Sequence, residues 1–323
     1  MSPARLLPDT FTRLLIVTVV LASFLPCSGS LAQAFDVAAN LGIALLFFLH
    51  GARLSRAVII AGATHWRLHL LVLSCTYLMF PLLGWALQPG LQPLLGPGLA
   101  TGMLFLCLLP STVQSSIAFT SMARGNVAAA VCSASASNLA GIFLTPLLTS
   151  LFLGGQGSAA GVSFDGLWKI VVQLLLPFVV GHMASPLLIA GIKRHPKLMR
   201  AVDQGSILLV VYTAFSAAVI EGLWQHLAPA TLLLLVVVNA LLLALALGIT
   251  ALLARRLGFD RADRIAIIFC GSKKSLATGV PMAKVLFATH AFGAAVLPLM
   301  LFHQIQLMTC AVLASRWGAE PKE

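Results

Sequence analysis

The stretch Phe269-Cys270-Gly271-Ser272-Lys273-Lys274-Ser275-Leu276-Ala277 decides how this chain is read. It sets two adjacent lysines inside an apolar span, about Ile265–Ala288, long enough to cross a bilayer. A charge at mid-membrane costs at least ~2.5–3.5 kcal/mol on insertion scales, so its presence points to function. Glycine and serine beside the pair are residues found where a transmembrane helix unwinds. Ser272, Lys273, Lys274 and Ser275 are therefore candidates for a substrate or coupling-ion site, with Gly271 at the break.

Outward from this stretch, the 323 residues are 59% hydrophobic and only 9% charged. Long apolar runs separated by short basic loops define an all-α polytopic membrane protein. Residues 1–323 form a single transmembrane domain, because no loop or tail approaches the size of a soluble one. The net charge of +11 does not imply nucleic acid: the basic residues sit in short loops between apolar spans, as the positive-inside rule describes. The partner is the lipid bilayer. Six scattered cysteines (27, 75, 107, 132, 270 and 310) read as small buried hydrophobes.

Ten spans are expected. The first covers about Leu14–Cys27 and the second about Phe35–His50. Ala32-Gln33-Ala34 matches the small-residue pattern of a signal cleavage site, but losing the first span would break the parity argued below. The third span ends near Leu87, and Pro89, Pro93 and Pro97 make a turn. The fourth begins near Gly98 and meets Pro110-Ser111-Thr112-Val113-Gln114-Ser115-Ser116. A mid-span proline removes one backbone bond and breaks or kinks the helix. Pro110 is thus a second break, and Thr112, Gln114, Ser115 and Ser116 join the candidate site. Arg124 and Asn126 follow at a short turn and position the crossing.

The fifth span, about Val127–Leu153, carries Ser133, Ser135, Ser137 and Asn138, small residues suited to close helix packing. A glycine-rich turn (154–166) leads to span six, about Leu167–Gly191. Spans seven and eight cover about Gly205–Glu221 and Ala228–Ala254. Span nine holds the lysine pair and ends with Lys284, read as an interfacial anchor. Span ten, about Ala291–Ser315, places His303, Gln304 and Gln306 toward a core cavity. Trp66, Trp85, Trp168, Trp224 and Trp317 read as interface belts.

The charges test this count. With both ends cytoplasmic, inside loops and termini hold sixteen of the twenty Lys and Arg residues. Only Lys169 falls outside, and the other three belong to span nine. This orientation fits a bacterial inner membrane. All nine carboxylates, at 9, 36, 165, 203, 221, 260, 263, 320 and 323, lie in termini, loops or span ends.

Span nine can be laid on span four. Thr112–Ala118 matches Gly271–Ala277 at a constant offset of 159, and Met122-Ala123-Arg124 matches Met282-Ala283-Lys284 at 160. Five spans per half is odd, so the second half enters the membrane from the opposite side. This predicts two inverted repeats, about 11–153 and 165–315. Interrupted helices at corresponding positions of such repeats point to a transporter's binding site.

Three motifs carry a family resemblance: Phe-Phe-Leu-His-Gly at 47–51, Ala-Arg-Gly-Asn-Val at 123–127 and Cys-Gly-Ser-Lys-Lys-Ser-Leu-Ala at 270–277. With them the whole chain resembles the bile acid:sodium symporter family, in the branch around the seventh member of solute carrier family ten. The resemblance implies a four-helix panel (spans 1, 2, 6, 7) and a six-helix core (3–5, 8–10), with broken helices 4 and 9 crossing in the core. It also implies two sodium sites beside the crossing, and here the residues depart. The serine of the first site matches Ser116. Its neighbouring asparagine becomes Ile117, and two hydroxyls of span five become Ala130 and Ala134. The glutamate of span nine becomes Phe269, the following glutamine Lys273, and the glutamine of span three Thr76. Sodium loses most of its ligands, and a lysine is expected in the cation's place, as a fixed charge or as a proton carrier.

The function expected is a secondary transporter that moves a small organic anion by alternating access, with Na+ or H+ as coupling ion and no other cofactor. The alternative is a non-transporting membrane regulator of ion homeostasis. No His-Glu-x-x-His, paired mid-membrane carboxylates or Gly-x-Ser-x-Gly elbow marks an enzyme.

Overall fold

A computed structural model describes residues 10–53, 65–153, 164–220, 228–287 and 289–320. Every extended element among them is helical: α1 (Thr10–Phe24), α2 (Gly29–Arg53), α3 (Trp66–Leu95), α4 (Pro97–Leu108), α5 (Gln114–Met122), α6 (Val127–Leu153), α7 (Phe164–Arg194), α8 (Pro196–Ile220), α9 (Pro229–Arg256), α10 (Arg261–Gly271), α11 (Leu276–Leu286) and α12 (Thr289–Ala319). Seven candidate spans are long and apolar enough to cross a membrane: α2, α3, α6, α9, and the stretches Leu174–Ile192, Pro196–Ala217 and Phe292–Ala319 within α7, α8 and α12. The other three expected spans fall on the shorter α1 and on two interrupted pairs, α4–α5 and α10–α11. Large apolar side chains such as Phe24, Leu151, Met183 and Leu187 stand outward. So much exposed apolar surface suits lipid rather than water. The chain is a multi-pass membrane protein.

The helices fall into two compact groups. The first comprises Met1–Ser55, Thr149–Ala228 and Val280–Val296. Here α2 and α7 cross with backbones touching. A Cβ on Gly51 would strike the Phe178 carbonyl, and one on Gly181 the Phe48 carbonyl, so only glycine fits at either point. Arg53 on α2 pairs with Asp203 on α8, and Lys284 reaches Asp36 at 2.6 Å. Lys284 is thus an ion-pair partner as well as a helix-end residue. Tyr212 donates to the Leu25 carbonyl and Ser185 to that of Ala52.

The second group comprises Arg56–Leu148, Pro229–Gly279 and Leu297–Glu323. It contains both interruptions. One expectation is corrected here: α3 does not stop near Leu87 but runs through Pro89 and Pro93 to Leu95. The two missing N–H groups lie in its last turns, and Gln88 ties that end to the Ala100 carbonyl. The reversal sits at Gly96, whose φ of 78° suits glycine. All six cysteines are free and buried. Trp66 and Trp85 are exposed, as a belt requires. Trp317 instead packs on Phe269, ring centroids 5.3 Å apart. Trp224 and most of the 154–166 turn lie outside the described residues.

Candidate functional site

The two breaks arise from local chemistry. Pro110 has no N–H and pushes its predecessor out of the helical region, so α4 ends at Leu108 and Leu109 is extended (φ −79°, ψ 157°). On the other side, α10 ends at Gly271. Ser272 folds its hydroxyl back onto the Ile268 carbonyl at 2.6 Å. Ser275 then caps α11 by accepting the Thr278 N–H at 3.2 Å, as an N-cap serine does.

The breaks meet through hydrogen bonds. The Ser275 N–H donates to the Pro110 carbonyl at 2.9 Å, the Ser116 hydroxyl to the Phe269 carbonyl at 2.8 Å and the Ser111 hydroxyl to the Cys270 carbonyl. Around them, Thr145 donates to the Leu108 carbonyl and Asn138 to that of Ser111. The Asn138 amide oxygen in turn accepts from Thr278, and the Ser137 hydroxyl accepts the Ser111 N–H. The polar edge of α6 therefore binds the break rather than only permitting close packing.

Both lysines are fully buried, and none of the ion pairs among the described residues involves either one. Their surroundings differ. Lys274 Nζ donates to the carbonyls of Leu109 (2.7 Å), Thr76 (2.9 Å) and Cys107 (2.9 Å), and lies 4.2 Å from the centroid of the Phe80 ring. Its own peptide is clamped by Gln306, which accepts the Lys274 N–H and donates to the Lys274 carbonyl. Among the described residues Lys273 Nζ has one acceptor, the Ser115 hydroxyl at 3.2 Å, and it sits over the rings of Phe119 (4.5 Å) and Phe269 (5.7 Å).

The Thr76 carbonyl is free for Lys274 because α3 takes a π-helical turn over Cys75–Met79. The Phe80 N–H bonds the Cys75 carbonyl instead of that of Thr76, and Pro81, the next residue, has no N–H to offer. The Thr76 hydroxyl bends back to the Val72 carbonyl, so the residue contributes backbone and not side chain.

A model of the SBF-like CPA transporter family matches residues 9–319 of this chain. The chain belongs to that family. Its relatives include an uncharacterized protein of Pseudomonas aeruginosa, 64% identical over 98% of this chain and 95% of its own length. The putative symporter YfeH of Escherichia coli is 54% identical, with 98% and 94% covered. The sodium/bile acid cotransporter 7 of rat is 28% identical, with 84% and 81% covered.

In this SBF-like transporter, Thr112, Ser115 and Ser116 are joined into one hydroxyl cluster by bonds of 2.8 and 2.9 Å. Ser272, Ser275, Thr76, Pro110 and Gly271 also gather at the crossing, where Gly271 lets α10 approach Cys75 and Thr250. His303 reaches the crossing indirectly, its Nδ1 2.9 Å from Gln306 Nε2. Two candidates stay outside this network. Gln114 is exposed at the start of α5, and Gln304 Oε1 is buried with no partner among the described residues. Gln306, one turn from His303, makes the contacts.

Arg124 and Asn126 act as local architecture. After α5 the Gly125 N–H returns to the Thr120 carbonyl and the Arg124 N–H to that of Ser121, the Schellman pattern, with Arg124 at a left-handed φ of 60°. Asn126 caps α6 through the Ala129 N–H and donates to Asp263 of α10 at 2.8 Å. The two aromatic backings, Phe80 and Phe119, carried no signal in the sequence: phenylalanine in an apolar span reads as packing.

Proposed function

We propose that this chain is a secondary active transporter that carries a small organic anion by alternating access, with Lys273 as the group that meets the substrate. The observation that carries the reading is the fully buried Lys273 amine with three donor positions and, among the described residues, a single acceptor, Ser115. Ser115 lies in the first turn of α5, so the amine stands beside a helix N-terminus. Backbone N–H groups, a helix dipole and an amine together favour an anion, such as a carboxylate or sulfonate. Lysine replaces the two-sodium arrangement, as a fixed charge or as a proton carrier. The names of the relatives, a putative symporter and sodium/bile acid cotransporters, support a transport role.

The contacts at the crossing support the inverted repeat. Pro110 and Phe269 are 159 residues apart, as are Ser116 and Ser275, and Ser111 and Cys270. Exchanging the halves therefore turns the Pro110–Ser275 bond into the Phe269–Ser116 bond and returns Ser111–Cys270 to itself. A pseudo-two-fold axis through the Ser111–Cys270 contact explains this pattern and fits ten spans, and the placement of the Lys and Arg residues in the loops favours cytoplasmic termini. The two compact groups also support a panel and a core: α1, α2, α7 and α8 fall in the first, and the broken helices up to Gly279 in the second.

Counterflow in proteoliposomes with a panel of organic anions, under separate sodium and proton gradients, tests the proposal. Uptake abolished by Lys273→Ala in a protein that remains folded is the expected result. Uptake that follows sodium strictly and survives Lys273→Ala would sink it. No movement of any solute under either gradient would favour the regulator of ion homeostasis instead.

A further inference from the structure

We infer that the carbonyls of Thr76, Cys107 and Leu109, with the face of the Phe80 ring, form a monovalent-cation site that Lys274 occupies with its own ammonium. The class of ligand is ammonium, a small primary alkylammonium or an alkali ion. This inference rests on the hydrogen bonds around Lys274 and not on the transport reading.

Each wall of the site presents negative potential. The three carbonyl oxygens lie 2.7–2.9 Å from Nζ, the spacing of charge-assisted hydrogen bonds. Two of them come from the C-terminal end of α4, where the helix dipole favours a cation. The Phe80 ring presents its face 4.2 Å away. Phe80 is itself fixed edge-on by Phe302, centroids 6.2 Å apart.

Donor counting supports a charged occupant. An ammonium has three N–H donors and meets three acceptors; a neutral amine has two, and its lone pair would face the third oxygen. The backbone path also frees these oxygens from helical bonding. A helix continuing past Leu108 would bring the Ser111 N–H to the Cys107 carbonyl, but that N–H goes to Ser137 instead. The Thr76 carbonyl is released by the π turn and Pro81. The Leu109 carbonyl lies in the extended break. Three buried carbonyls in a membrane helix bundle need a donor. The chain supplies it from 165 to 198 residues away.

The test uses purified full-length protein in detergent, with Tm as the readout and choline chloride as the inert salt. Lys274→Ala opens space for an external cation. Its Tm is expected to fall by about 10 °C in choline. Methylammonium, and then potassium or sodium at equal ionic strength, should recover at least half of that loss along a saturation curve. Wild type in the same salts sets the background. The inference is overturned if Lys274→Ala stays within about 2 °C of wild type, or if no cation raises its Tm beyond the change seen in wild type. Should that variant resist purification, Lys274→Gln decides. Its neutral amide fills the space with two donors and should lower Tm without cation recovery; a wild-type Tm would overturn the inference. Because no solute has to move, failure here leaves the Lys273 reading intact, and a failed transport assay leaves this one intact.

Discussion

Lys273 and Lys274 are neighbours in the chain, equally buried, and chemically identical, yet the structure treats them as different kinds of residue. Lys274 has every donor taken by a carbonyl and its peptide held on both sides by Gln306. Among the described residues Lys273 has one weak partner and two rings. A saturated ammonium is a fixture of the fold, whereas an unsaturated one is open to an incoming ligand. Burial alone therefore does not separate the two lysines; the number of donors left over among the described residues does.

The largest expected effect separates the two by stability. Lys274→Ala leaves three buried carbonyls without a donor and should cost about 3–5 kcal/mol in chemical or thermal unfolding. Lys273→Ala should cost about 1 kcal/mol or less, since it gives up one long hydrogen bond and ring contacts worth little more. Equal losses for the two variants would erase the distinction.

Transport should show the reverse. Lys273→Gln removes a charge-assisted contact of ~1.5–3 kcal/mol, so anion uptake in proteoliposomes should drop by about 10- to 100-fold with Tm nearly unchanged. An uptake rate within twofold of wild type would assign the substrate to another residue.

A smaller effect is expected at the clamp. Gln306→Leu deletes two hydrogen bonds to the Lys274 peptide and should destabilise by about 1–3 kcal/mol. Its transport loss should follow the loss of folded protein, which a fluorescence-detected size-exclusion profile would reveal. A transport defect in fully folded protein would move Gln306 from the scaffold to the substrate path.

The smallest effect tests what the family comparison implied at Thr76. Its hydroxyl bonds only its own helix and its carbonyl meets Lys274, so Thr76→Val should change stability by less than about 1 kcal/mol and leave uptake intact. A large loss would show that the side chain, and not the backbone, serves the site.

These contrasts also show what the sequence could disclose. Pro110 and the Gly-Ser-Lys-Lys run mark both breaks because their chemistry is written in side chains: a missing N–H and charges in an apolar span. Ser115 and Ser116 could be placed beside them by the same reasoning. The carbonyl cage could not, because every residue has a carbonyl and only the backbone path decides which are spare. The π turn at Cys75–Met79 leaves no compositional trace beyond Pro81. Among His303, Gln304 and Gln306, polarity put all three on one helix but packing alone chose which faces the crossing. Pro89 and Pro93 misled for a related reason: the carbonyls that they leave without an N–H, those of Trp85 and Pro89, belong to exposed residues near the end of α3, so the helix runs on through both prolines.

The cage has a bearing on how the protein is made. Its three oxygens belong to the first 109 residues of the chain, and the amine that satisfies them lies beyond residue 270. While the ribosome is still adding the middle helices, the early ones carry acceptors that lipid cannot meet. These oxygens meet the Lys274 amine only once the α10–α11 segment is in place, so the early helices of this group depend on one of its late segments for their hydrogen bonding.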